Sequence, residues 1–209
     1  MPQSRRYKKK KSAGKAILAW IIVLAILAAA VFVFVSFFYE DTKNKLDKMN
    51  YPCTYSTYVE KAAKDYDLDP ALIYAVIHTE SGFDPKAESG VGAKGVMQMM
   101  PSSFEWLQEQ RGCAGQYTED DLFDPEICID YGSYLLKYFY DYYGTERSAI
   151  AAYNAGFVVS DWLNDTNYSS DGKNLDSIPY PETENYVDKV ESAKEMYICL
   201  LYTSPSPRD

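Results

Sequence analysis

The sequence predicts an all-α protein: a small domain of about five or six helices with long ordered loops, preceded by a single transmembrane helix. Three observations carry this. Residues 16–38 form an uncharged, predominantly apolar run of 23 residues. Asp69-Pro70 and Asp124-Pro125 each stand before apolar residues at helical spacing, a capping residue followed by proline at the first helical position. No segment sustains apolar/polar alternation between turn signals, and the tyrosines and phenylalanines fall on helical spacing instead.

Taken in order, residues 16–38 are long enough to cross a bilayer as a helix. Arg5, Arg6, Lys8, Lys9, Lys10, Lys11 and Lys15 precede the run, and Glu40 and Asp41 follow it. Positive flanks stay inside, so segment 1–15 should be cytoplasmic and the rest of the chain should face outward. A cleaved signal peptide is the rival, with Ala28-Ala29-Ala30 small enough for a peptidase. The apolar run continues eight residues further, longer than a signal core, which favours an anchor.

Residues 39–52 read as a polar linker ending at Pro52. Residues 57–66 (TYVEKAAKDY) form a first helix, and Asp69-Pro70 opens PALIYAVIHTES. Ser102 and Glu105 have capping-box spacing before FEWLQEQ. Asp124-Pro125 launches EICIDYGSYLLKYFYDYYG, stopped by Gly144; Thr145 caps ERSAIAAYN, which ends before Gly156. A last helix starts near Pro181. Loops 82–101 and 157–181 are long enough to be functional or disordered. The folded domain is expected over 53–198, large enough to fold without a metal. Residues 199–209 (CLLYTSPSPRD) read as a non-native tail, because codons for them can spell a transposon-type sequencing adapter. On that reading Cys199 is not native, and the tail takes no part in the fold.

All 30 acidic residues follow Phe38 with only 14 of the 21 basic ones, so the outer part carries −16. Nucleic acid is excluded as a partner, since phosphate binding needs a basic surface. Cys113 and Cys128 bracket a short loop and a helix start, making them the first choice for a disulfide in an oxidising compartment, with free buried thiols as the alternative. There is no CxxC, and His78 is the only histidine, so no metal or other cofactor is expected.

The chemistry concentrates in HTESGFDPKAESGVGAKGVMQMMP, residues 78–101. Glu80 lies three, four and seven residues after Ile77, Val76 and Ile73, spacings that share one helix face. It should therefore emerge from an apolar stripe in the last helical turn, where burial and the helix dipole both disfavour ionisation. A carboxyl kept protonated near neutral pH is what a general acid needs. Gly90, Gly92 and Gly95 let backbone approach a ligand. Gln98 supplies an amide and Met97, Met99 and Met100 adaptable apolar contact.

ESGFDPKAESGVGAKGVMQMMP, AIAAYNAG (149–156) and IPYPETENYVDKV (178–190) together resemble, in order, the signatures of soluble-lytic-transglycosylase-type domains, over roughly residues 55–198. The resemblance implies a lysozyme-like fold acting on peptidoglycan. It implies Glu80 as catalytic acid/base and Ser89 as a sugar contact near the scissile bond. It puts Gln98 and Met100 on the saccharide groove and gives Tyr153, followed by Asn154, a hydroxyl that holds the catalytic carboxyl. Glu182 would shape the groove beside Tyr186. The sequence departs slightly from the family pattern at the paired Met99-Met100 and at Ser102-Ser103.

Blander readings stand beside these. Tyr153 alone fits a core ring, Gln98 a loop amide satisfying backbone, and His78 a structural position off the Glu80 face. Most of Tyr138, Tyr140, Tyr142 and Tyr143 fit packing rather than a stacking platform. Asp84 and Glu88 sit in a turn sequence where they would be solvated, so Glu80 is the one carboxyl with a catalytic setting. The expected reaction is cleavage of the MurNAc-β-1,4-GlcNAc bond without water, leaving 1,6-anhydro-MurNAc. The alternatives are a hydrolytic muramidase on the same scaffold and a catalytically idle wall-binding module. The expected partners are peptidoglycan strands and, through the N-terminal helix, the membrane.

Overall fold

The computed structural model describes residues 10–203, which form two units, 1–50 and 51–209. In the first, α1 (Lys10–Asn50) is one helix of 41 residues. Its span Ile17–Tyr39 has mean hydropathy 3.1 and no part buried by protein, so lipid is the solvent that suits it. The segment expected as a linker is helical as far as Asn50. Its Thr42 hydroxyl donates back to the Phe38 carbonyl at 2.8 Å. Segment 1–9 of the basic stretch lies outside the described residues.

In the second unit the helices are α2 (Ser56–Tyr66), α3 (Pro70–Ser81), α4 (Pro101–Gln110), α5 (Pro125–Tyr143), α6 (Glu146–Ala155), α7 (Val159–Asn164) and α8 (Pro181–Ile198). Short 3₁₀ turns precede α5 and α7. Both expected caps form: Asp69 accepts from the Ala71 N–H and Asp124 from the Glu126 N–H. The capping box expected at Ser102 does not. Proline at the first position of α4 moves the cap to Met100, whose side chain cannot accept. A capping box forms instead between Thr118 and Asp121. The loop expected after Phe157 contains the extra helix α7, because Val159, Trp162 and Leu163 bury their side chains there.

Helix α3 is the centre. Every residue from Ala71 to Ile77 is buried, so the helix is enclosed on all sides rather than on one stripe. It packs along α8, while α5 packs against α2 and α6. The Lys194 ammonium of α8 sits 2.7 Å from Glu146 of α6 and 3.8 Å from Asp69, the cap of α3. One cation thus ties together the three helices that carry the site.

Two expectations are corrected. Cys113 and Cys128 form no disulfide, because each thiol faces a partner of its own. Cys113 Sγ lies 3.4 Å from the Tyr131 hydroxyl. Cys128 Sγ is buried and accepts the Met97 N–H at 3.4 Å. Residues 199–203, expected to stay outside the fold, continue α8 as a π-turn. Leu200 and Leu201 pack on the core, and the Tyr202 hydroxyl donates to Asp69 at 3.3 Å. Residues 204–209 lie outside the described residues.

Candidate active site

Glu80 is the last residue but one of α3, where the enclosed helix first reaches solvent. The Tyr186 hydroxyl of α8 donates to its Oε1 at 2.7 Å. Burial pushes the Glu80 carboxyl up to about 7, against a smaller downward pull from the Tyr186 hydrogen bond. Tyr186 is itself buried, and burial followed by the nearby Glu80 charge holds its hydroxyl well above the ordinary phenol value. It therefore remains a donor at any pH the protein meets. With Tyr186 on Oε1, the proton of the neutral acid belongs on Oε2, which has no hydrogen-bond partner among the described residues.

The expected role of Tyr153 belongs to Tyr186. The Tyr153 hydroxyl donates at 2.9 Å to the Met97 carbonyl of the long loop, although Glu80 is near enough to help raise its pKa. Tyr153 thus braces the loop opposite Glu80, and Tyr186 holds the acid. The two tyrosines lie on different helices that both face the end of α3, which explains why motif position alone assigned the wrong one.

The loop from Gly82 to Met100 is ordered by its own polar groups. Isolated antiparallel bridges join Glu88 to Lys94 and Lys94 to Met99. Gln98 adopts φ +47° and donates its amide to the Ala87 and Gly95 carbonyls, both at 3.0 Å. That is the loop-bracing reading, and it leaves only its Oε1 for a ligand. Ser89 Oγ accepts the Ala93 N–H at 2.9 Å. Ser81, next to Glu80, donates to the Val96 carbonyl at 2.8 Å, pinning the loop to the helix end.

Gly95 serves packing rather than ligand approach: a Cβ there would lie 2.0 Å from the Leu122 carbonyl oxygen, and its φ is +76°. Gly90 and Gly92 have nothing within 4 Å of a built Cβ and remain on the open side. Met100 is 38% exposed at the start of α4. Asp84 and Glu88 are exposed, as the turn sequence implied.

A cleft of about 330 Å³ joins part of this set. Thr79, Asn154, Glu182 and Tyr186 line it with Asn185 and Lys189. Asn154 Oδ1 accepts the Thr183 hydroxyl at 2.8 Å, coupling α6 to the first turn of α8. Ser89, Gln98 and Met100 are not on this wall. Thr79, Asn185 and Lys189 went unnoticed in the sequence. For the latter two the signal was present, since positions 182, 185, 186 and 189 share one helix face.

An enclosed helix ending in a desolvated glutamate, held by a buried tyrosine beside an ordered loop, defines a lysozyme-like helical domain of acid–base type. The chain belongs to the transglycosylase SLT domain family, whose model matches residues 57–175. It is 30% identical over 159 residues to the soluble lytic murein transglycosylase of Escherichia coli, covering 75% of this chain and 25% of that protein. It is 33% identical over 176 residues to the membrane-bound lytic murein transglycosylase C of Pectobacterium atrosepticum, covering 74% and 49%. An inactive glutamate-to-glutamine mutant of the lytic transglycosylase Slt from Pseudomonas aeruginosa superimposes with TM-score 0.65 at 30% identity, over 77% of this chain and 26% of that one. The chain thus spans between a quarter and a half of the length of these proteins.

Proposed function

We propose that this chain is a membrane-anchored lytic transglycosylase that cuts peptidoglycan between N-acetylmuramic acid and N-acetylglucosamine. The observation that carries the reading is the Glu80 carboxyl, pushed up to about 7 by burial and held by Tyr186 on one oxygen only. Near neutral pH such a group is present in both forms, so it can give a proton and then take one.

In the forward step Glu80 Oε2–H protonates the glycosidic oxygen as the bond to the muramic C1 breaks. The muramic 2-acetamido group stabilises the positive charge that develops. Glu80, now a carboxylate, removes the proton from the muramic C6 hydroxyl, whose oxygen bonds to C1. The products are a 1,6-anhydromuramoyl end and a free GlcNAc hydroxyl; no water is consumed and Glu80 is restored. Glycosidases that use two carboxylates set them across the bond. Here Glu182 is the cleft's other carboxylate, and it is exposed to solvent. Ser89, Gln98 Oε1, Met100 and Asn154 are assigned to the glycan groove. The basic flank before α1 and the acidic residues after its apolar span favour an inside N-terminus and an outside domain.

Mass spectrometry of products from peptidoglycan incubated with the detergent-solubilised chain tests this. Muropeptides one water lighter than the reducing forms, absent with Glu80→Gln, are expected. Reducing ends would make the enzyme a muramidase, and no products from a folded wild type would leave a binding module.

A further inference from the structure

The cleft does not stop at Glu182. A second hollow of about 520 Å³ adjoins it, sharing Thr79, Asn185 and Lys189. It runs between the end of α3 and the next turns of α8, with His78, Tyr51 and Ser192 on its far side. Because Thr79 precedes Glu80 in the chain, this hollow begins beside the reacting bond.

Its polar groups are mostly donors. Lys189 forms no ion pair among the described residues and faces the hollow. Asp188, the carboxylate on this wall, is 3.6 Å from Arg147 and so partly neutralised. His78 stacks on Tyr51 with ring centroids 4.8 Å apart, and its Nδ1 is buried without a hydrogen-bond partner. A buried N–H with no acceptor is costly, and a buried charge more so. The ring is therefore neutral with its proton on Nε2, the nitrogen left to face the hollow. The Ser192 and Thr79 hydroxyls complete a wall suited to an acceptor bearing negative charge, on a domain that is otherwise strongly acidic.

We propose that this hollow binds the carboxylate-bearing peptide substituent of the glycan, with Lys189 as its charge contact and His78 Nε2–H and Ser192 as neutral donors. The assignment rests on the peptidoglycan reading above and deepens it. A glycan with its scissile bond at Glu80 carries a peptide on the muramic unit whose C1 reacts, so the substituent leaves the cleft beside the reacting sugar, where Thr79 opens the hollow.

The test compares kcat/KM of the detergent-solubilised full chain on peptide-bearing strands and on the same strands stripped of peptide, which keep their lactyl carboxylates. The wild type should prefer peptide-bearing strands by about three- to tenfold, the factor expected of one partly screened charge contact. Lys189→Met and Ser192→Asp should each bring the ratio near one, while Lys189→Arg keeps it. A ratio unchanged in both variants overturns the subsite, as does an equal slowing on both polymers, which would mark Lys189 as a sugar or lactyl contact. A folded wild type that cuts neither polymer overturns the functional reading and the subsite with it.

Discussion

Replacing Glu80 by glutamine should stabilise the protein, and only on the alkaline side. In the unfolded chain this carboxyl titrates at its ordinary 4.5; in the fold burial moves it to about 7. The native state therefore binds the extra proton between those values. Its favourable contribution is complete below pH 4.5 and is lost as pH rises through about 7. At about 1.4 kcal/mol per unit, the ionised carboxyl at pH 8 costs about 3 kcal/mol, reduced to about 2 because the group is partly exposed. Glutamine keeps the size, and its amide oxygen can still accept from Tyr186, but it carries no charge to desolvate. A gain of about 2 kcal/mol corresponds to about 4–8 °C in Tm for a domain of this size. Thermal melts followed by circular dichroism at pH 4.5 and pH 8, on the detergent-solubilised chain, measure it. An equal gain at both pH values, or a loss at pH 8, would refute the claim that Glu80 is a desolvated acid.

The other predictions concern the groups around it. kcat/KM on peptidoglycan should fall as pH rises through about 7, the value to which burial raises Glu80, because the first step needs the protonated form; a flat profile to pH 9 would remove Glu80 as the acid. Tyr186→Phe deletes the hydrogen bond that holds the Glu80 pKa down, so the alkaline limb should move to higher pH while kcat drops about tenfold, as for one lost positioning contact. Gly95→Ala should destabilise by about 2 kcal/mol or more, since its Cβ meets the Leu122 carbonyl at 2.0 Å. Gly90→Ala, with open space around it, should be neutral or slightly stabilising in the same denaturant titration. A thiol reagent should label half-buried Cys113 in the native protein well before Cys128, whose thiol is buried and pushed up to about 12; a band shift on non-reducing gels would instead restore the disulfide.

Much of the helix plan was legible because its signals are local. Asp-Pro at positions 69 and 124 caps helices wherever the rest of the chain goes, and Gly144 ends α5 in the left-handed region open to it. The apolar run Ile17–Tyr39 needs no partner to declare itself. Where the reading failed, the deciding contacts were distant in sequence. Helix α7 forms in what looked like loop because Val159 and Trp162 find the core. Cys113 and Cys128 face partners that spacing could not supply.

The site divides along the same line. The sequence by itself determined that a glutamate ends an apolar helix before a glycine- and methionine-rich loop, since both lie within one stretch of chain. Only the tertiary structure decided that Tyr186, 106 residues away, holds its carboxyl, while Tyr153 turns to the Met97 carbonyl. It also decided that Gly95 is small for Leu122 rather than for a ligand. The physical reason is that capping, helix periodicity and hydropathy act over a few residues, whereas the pKa of Glu80 depends on how much protein the rest of the chain folds around it.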